Sequence, residues 1–185
     1  MKSLSASRLA GLVAGTIGLL LATTAARAQD VTVGVIESQS GPVSSIGIPY
    51  MKGLAAAMVN GGVIDGVKLK VISLDDASDP ATSSREARKL VDDDKVDVLF
   101  GSSGAPASLA VNSVAAETHV PLLITGNIFV TGEKGDWEIT IPQPAPLMIA
   151  ADIEEMKKKG IKTVAYIGYN DAWGDLVYDA LKQTA

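Results

Sequence analysis

Cysteine is absent from the 185 residues and histidine occurs once. Within this chain there can be no disulfide framework, no thiolate zinc site and no cysteine nucleophile, and one imidazole cannot make a multi-histidine metal centre. Aromatic residues are scarce, 4% of the chain, while hydrophobic residues reach 47%. The core must therefore be aliphatic, and the composition is that of a folded protein rather than a disordered one. Basic residues are outnumbered, 16 Lys and Arg against 21 Asp and Glu, leaving a net charge of −5. A nucleic-acid partner would call for the opposite balance. The length suits one ordinary domain, or one domain and part of another.

What is present begins with a leader-like N-terminus. Lys2 and Arg8 precede an uncharged stretch over 9–26, rich in Leu, Ala, Gly and Thr, which ends in Ala26-Arg27-Ala28 before Gln29. A basic start, an apolar middle and a small-x-small site predict a secretory signal peptide over 1–28, cleaved after Ala28. The stretch is just long enough to span a bilayer as an anchor, but its Gly, Ala and Thr lower its hydrophobicity and favour cleavage. Cleavage removes Lys2, Arg8 and Arg27 and no acid, so the remainder is more acidic. The product is expected to be soluble, and periplasmic in a cell with two membranes.

Beyond the leader, apolar runs alternate with helical stripes. Strands are predicted over 31–36, 67–74, 96–100 and 121–124, each β-branched or nearly continuous in hydrophobicity. Between them lie three helical patterns. Pro49 is placed at the first turn of a helix carrying Met51, Leu54, Ala55, Met58 and Val59, stopped by Gly61-Gly62. Asp79 is the expected N-cap of a second, with Pro80 behind it and Ala87, Leu90 and Val91 inward. Pro106 opens a third, with Ala107, Ala110, Val111 and Val114 inward. Strand and helix in alternation predict an α/β fold with a doubly wound parallel sheet and right-handed crossovers.

The rhythm breaks after Thr125. Residues 128–136 carry no helical stripe, 137–141 alternate like a half-exposed strand, and Pro142, Pro144 and Pro146 mark a linker. A helix through Ile149, Ile153 and Met156 then ends at Lys157-Lys158-Lys159-Gly160, a lysine run suited to a solvated last turn. A strand over 163–168 and a helix with Leu176, Val177, Ala180 and Leu181 complete the pattern. The boundary falls between Thr125 and Pro142. The second unit is too small to close a core, so the chain is expected to be incomplete, ending directly after a helix at Lys182-Gln183-Thr184-Ala185.

In an open parallel sheet, ligands bind beyond the carboxyl ends of the strands, where helix N-termini offer free N–H groups. Those ends are 37–41, Asp75-Asp76, 101–105 and 125–127, and three of the four are rich in Ser, Thr, Gly and Asn. Hydroxyls and backbone N–H groups hold an anion such as a carboxylate without moving a proton. Enzyme patterns fit poorly. Gly101-Ser102-Ser103-Gly104-Ala105 nearly matches a nucleophile elbow, but Ala105 stands where the second glycine belongs. The single candidate base, His119, precedes the fourth strand, and a strand of about five residues would hold it roughly 15 Å from Ser103. Asp75, Asp76 and Asp79 lack the ligand alternation of a calcium loop, and 126–134 lacks phosphate-loop spacing, with Glu133 before Lys134. Neither cofactor nor metal is expected.

Taken in order, the leader, the 31–36 strand, Ser40-Gly41-Pro42, Gly61-Gly62-Val63-Ile64-Asp65-Gly66, Asp75-Asp76-Ala77-Ser78-Asp79-Pro80, Arg88-Lys89-Leu90-Val91, Gly101, Pro121, 137–142 and Asp171-Ala172-Trp173-Gly174 resemble a known family. It is the periplasmic substrate-binding proteins of branched-chain amino acid ABC transporters, the leucine/isoleucine/valine-binding type. The segment 164–174 is similar to members that carry aromatic carboxylates. The resemblance implies a type I periplasmic-binding-protein-like fold, two lobes joined by hinge strands and closing around a ligand. Lobe 1 would be nearly complete over 29–127, the crossover would occupy 128–146, and 147–185 would begin a partial lobe 2.

Carried over by position, Ser103 and Ala105 fall in the loop that receives the ligand carboxylate, Ala105 offering only its N–H where many members have Ser or Thr. Thr125 and Asn127 lie at the fourth strand tip. Trp173 occupies the position of an aromatic residue that stacks over the ligand, Ile46 stands where the leucine binder has Trp, and Ser40 lies in the loop after the first strand. The resemblance implies an ABC importer's solute-binding protein, monomeric when complete, that delivers a small carboxylate to a membrane permease. That ligand would be a branched-chain or hydrophobic amino acid, or an aromatic acid. The ligand-sensing domain of a receptor with the same fold is the alternative, and a secreted α/β hydrolase using Ser103 is the remaining one.

Overall fold

The computed structural model describes residues 30–184. The leader expected over 1–28, with its cleavage after Ala28, lies outside the described residues. Among the described residues no helix is long and apolar enough to cross a membrane. They form one six-stranded sheet of β1 (Val31–Glu37), β2 (Val63–Ile64), β3 (Val67–Asp75), β4 (Val98–Gly101), β5 (Leu122–Ile124) and β6 (Glu138–Thr140). Its order is β2-β3-β1-β4-β5-β6. All neighbours are parallel except the short edge hairpin of β2 with β3. The chain winds from β1 outward to β3, then crosses back over β1 to β4. The strand order therefore reverses beside β1, which is where such sheets open a crevice.

Five α-helices accompany the sheet among the described residues: α1 (Ser44–Asn60), α2 (Pro80–Asp92), α3 (Ala105–Thr118), α4 (Ala145–Lys158) and α5 (Ala172–Thr184). The α2 helix begins as its sequence predicts, with Asp79 accepting from Thr82 N–H at 2.7 Å and Pro80 in the first turn. Ala87 and Leu90 on α2 and Val111 and Val114 on α3 are buried, packed in one cluster with Ile36, Leu99, Leu122 and Ile124 of the strands. Each such aliphatic side chain contributes about 1.5–3 kcal/mol by leaving water. Side chains alternate across a strand. Ile72 and Leu74 of β3 join that cluster, whereas Ser73 points to the other face, towards Met51 of α1.

The α1 helix stops at Asn60, before Gly61-Gly62 as expected, but it starts earlier than expected. Turn bonds from Ser44 N–H to the Gly41 carbonyl and from Ile46 N–H to the Val43 carbonyl wind the chain before Pro49, which sits inside the helix. Of the predicted stripe, Met51, Leu54 and Met58 are half-buried, but Ala55 is exposed and Val59 is 85% exposed. The predicted strand over 163–168 does not form. A strand needs a ladder partner, and among the described residues none lies beside this segment, so Val164, Tyr166 and Ile167 remain exposed. The alternating stretch over 137–141 forms β6, and it extends the first sheet by pairing with β5. The lysine run closes α4, where Lys158 and Lys159 pair with Glu154 and Glu155 one turn back.

Candidate functional site

The parallel strands end on one edge, and the loops leaving it are pulled together by hydrogen bonds from small side chains. Asp76, just past β3, is fully buried. Its Oδ1 accepts from Ser38 Oγ and Ser78 N–H, both at 2.8 Å, and its Oδ2 accepts from Ser83 Oγ at 3.0 Å and Ser102 Oγ at 2.5 Å. One carboxylate thus ties the tips of β1, β3 and β4 to the start of α2. Two glycines permit the close approach. Gly41 has φ +78° and a Cβ there would collide with the Ala77 carbonyl; Gly101 has φ +118° and a Cβ would collide with the Ile36 carbonyl. Both take the left-handed half of the map, which side chains disfavour.

Glu37, the last residue of β1, is also fully buried. Ser103 Oγ donates to its Oε2, and Thr125 Oγ1 donates to its Oε1 at 2.5 Å. Burial pushes the Glu37 carboxyl above the usual carboxylate range. The Ser103 and Thr125 hydroxyls pull it back, the charge of Asp76 pushes it up again, and the Ser38 N–H lowers it. Asp75 behaves in the opposite way. Slight burial raises it, but the Ser40 hydroxyl and the N–H groups of Ala77, Gln39 and Ser40 outweigh that and hold it below the usual range.

Above Glu37 lies a cleft of about 670 Å³, within the size range of small-molecule sites. Ser103, Ala105, Thr125, Asn127, Ile46 and Trp173 all line it. The structure therefore gathers six of the seven residues singled out in the sequence. Ser40 stands apart: its hydroxyl donates to Asp75 Oδ2 at 2.7 Å and its carbonyl accepts from Ser78 Oγ at 2.8 Å, which anchors the loop outside the cleft. The helices α1 and α3 begin at this cleft without a side-chain cap. Their first N–H groups, Ala105 N–H included, form the positive ends of two helix dipoles. Asn127 Nδ2 donates to the Gln143 carbonyl at 2.6 Å, fastening the tip of β5 to the segment after β6. Trp173 is half-buried at the start of α5, and Asp171 Oδ1 caps that turn by accepting from Trp173 and Gly174 N–H, each at 3.0 Å.

Several lining residues escaped the sequence: Tyr50, Gln143, Met148, Tyr169 and Asp171. Glu37 was seen only as part of a loop, although an acid closing an apolar strand signals a buried polar group with partners. His119 does lie far from Ser103. It is the left-handed residue ending α3, its ring 4.9 Å from that of Trp137. Fourteen helical residues separate the two ends of α3 by about 20 Å. Chemically the cleft offers hydroxyls, amides, two helix N-termini and aromatic faces, a set that holds a ligand.

The sequence matches the periplasmic binding protein family over residues 30–185. A Leu/Ile/Val-binding protein of Escherichia coli is 38% identical over 103 residues, which are 52% of this chain and 28% of that protein. The structure is similar to an extracellular ligand-binding receptor from Rhodopseudomonas palustris, with a TM-score of 0.80 at 38% identity, covering 84% of this chain and 42% of the other. It is also similar to the solute binding protein of an ABC transporter from R. palustris in complex with 4-hydroxybenzoate, with a TM-score of 0.76 at 25% identity, covering 84% and 43%. The chain spans less than half the length of each of these proteins. With a doubly wound sheet, a cleft at its switch point and a family match across all the described residues, the chain belongs to the periplasmic binding proteins of type I fold.

Proposed function

We propose that the chain serves as the solute-binding protein of an ABC importer, acting outside the cytoplasm after removal of its leader. In this role it captures a small carboxylate and passes it to a membrane permease. The ligand class is a branched-chain or hydrophobic amino acid, or an aromatic acid. The observation that carries this is the cleft itself. Ser103, Thr125, Asn127 and the uncapped starts of α1 and α3 line one space at the strand tips, and Trp173 lines it as well. Oriented N–H and O–H donors fit a carboxylate, and the indole fits an apolar or aromatic body. Residues 29–127 would act as one lobe, 128–146 as the crossover and 147–185 as the start of the other. Ligand affinity would then depend on closure of both lobes.

The names of the relatives support both ligand classes, since one is a Leu/Ile/Val-binding protein and another holds 4-hydroxybenzoate. Hydrolysis is disfavoured because Ser103 Oγ meets Glu37 rather than an imidazole, with His119 at the far end of α3. The test is a titration of the chain with 4-hydroxybenzoate and with leucine, followed by amide shifts in NMR. Saturable movement of Ser103, Ala105 and Trp173 amides is expected for one of them. Still amides with both compounds would sink the carboxylate assignment.

A further inference from the structure

The two hydroxyls at the cleft floor each have one hydrogen, and both are directed at the same buried group. Ser103 Oγ donates to Glu37 Oε2 and Thr125 Oγ1 to Glu37 Oε1. With Glu37 as a carboxylate, neither hydroxyl keeps a hydrogen for a ligand, and both turn lone pairs into the cleft. A ligand carboxylate would then face acceptors, backed by a buried negative charge. A proton on Glu37 reverses this. The acid O–H donates to one hydroxyl, and that hydroxyl's own hydrogen is released towards the cleft. We propose that the cleft takes up a carboxylate ligand together with one proton, and that Glu37 holds the proton as the positioning residue for Ser103 and Thr125.

The surroundings leave few other ways to neutralise the floor. From just past β3, Asp76 adds a second buried carboxyl whose charge acts on Glu37. From α1, Tyr50 places its hydroxyl 3.5 Å from the Thr125 carbonyl. From the segment before α5, Asp171 lines the cleft. The tips of β4 and β5 bring only uncharged side chains, with Ser102 already bound to Asp76. Among the described lining residues there is no Lys, Arg or His. Burial also favours the neutral form of Glu37, so the uptake starts from a group already inclined to accept it.

The inference rests on the carboxylate class assigned above, and the experiment separates the two. The Glu37 side-chain carboxyl carbon, assigned by through-bond NMR in the unaltered chain, is titrated with pH alone and with 4-hydroxybenzoate or leucine present. Its midpoint is expected above the ordinary glutamate value in the free chain and higher still with the bound compound. Affinity should fall with a slope approaching about tenfold per pH unit between the free-chain and bound midpoints, and Glu37→Gln should abolish that slope because its amide supplies the donor at every pH. An ordinary midpoint in the free chain, or a midpoint that does not move while the Ser103 and Ala105 amides do, overturns proton uptake alone. Amides that move with neither compound overturn the carboxylate class, and the inference with it.

Discussion

Ser102 Oγ donates to Asp76 Oδ2 at 2.5 Å, joining the tip of β4 to the tip of β3 across the intervening β1. With Ser38, Ser78 and Ser83 on the same carboxylate, four donors from separate segments share one buried acceptor. This hub holds the floor from which Ser103 projects.

Replacing Asp76 should therefore be costly. Asp76→Ala strands the buried hydroxyls of Ser38 and Ser102 and the Ser78 N–H, while Ser83 keeps the Asp79 carbonyl, and the expected loss is about 3 kcal/mol of unfolding free energy. Asp76→Asn keeps one accepting oxygen and should lose less. Urea midpoints of the three proteins measure this. A loss under about 1 kcal/mol for Asp76→Ala would mean the hub is dispensable.

The pH dependence of stability has opposite signs at two neighbouring acids. The folded pKa of Glu37 is raised, so its contribution is whole below the ordinary glutamate value of about 4.3 and is lost as pH rises through the folded pKa. Glu37→Gln should flatten that decline. The folded pKa of Asp75 is lowered, so its contribution is present above the ordinary aspartate value of about 3.9 and is lost as pH falls through the folded pKa. Asp75→Asn should flatten the acid side only. Thermal unfolding over a pH series reads both, and a wild-type profile parallel to that of Glu37→Gln would contradict the first.

Trp173 lines the cleft and packs against the core of the sheet. Trp173→Ala is expected to weaken binding of 4-hydroxybenzoate or leucine by at least about 1 kcal/mol, a fivefold or larger rise in Kd. Unchanged affinity would remove Trp173 from the ligand.

Leu90 is fully buried among Ile36, Val96, Leu99 and Val111. Leu90→Ala should cost about 3 kcal/mol through lost burial and the cavity left behind. The cleft amide pattern should persist under native conditions, because Leu90 does not line it. Denaturant melts check the first claim and NMR the second.

Much of the sheet was legible because its cues are local. Val31, Val33, Val35 and Ile36 read as a strand, Asp79-Pro80 as a helix start, and Ala87 and Leu90 as a buried face, and each is so. Pro49 misled because proline is usually a first-turn residue, whereas here turn bonds to Gly41 and Val43 start α1 earlier. The segment 163–168 misled for another reason. Its β-branched residues favour a strand, but a ladder is made between segments and none is offered among the described residues. Of the cleft, the hydroxyls at strand tips could be located because tips follow from strands. Tyr50, Met148 and Tyr169 could not, since nothing near them in sequence tells which way they face.

By itself the sequence determined the α/β class, the aliphatic core and the edge of the sheet on which ligand groups collect. Periodicity and capping act within a few residues, and those properties need no more. Only the tertiary structure decided that Thr125 would meet Glu37, 88 residues away, and that Ser40 would turn from the cleft to Asp75. Which hydroxyl faces a ligand and which serves the frame depends on where distant strands end beside one another. That is settled by packing and by the need of every buried polar group for a partner.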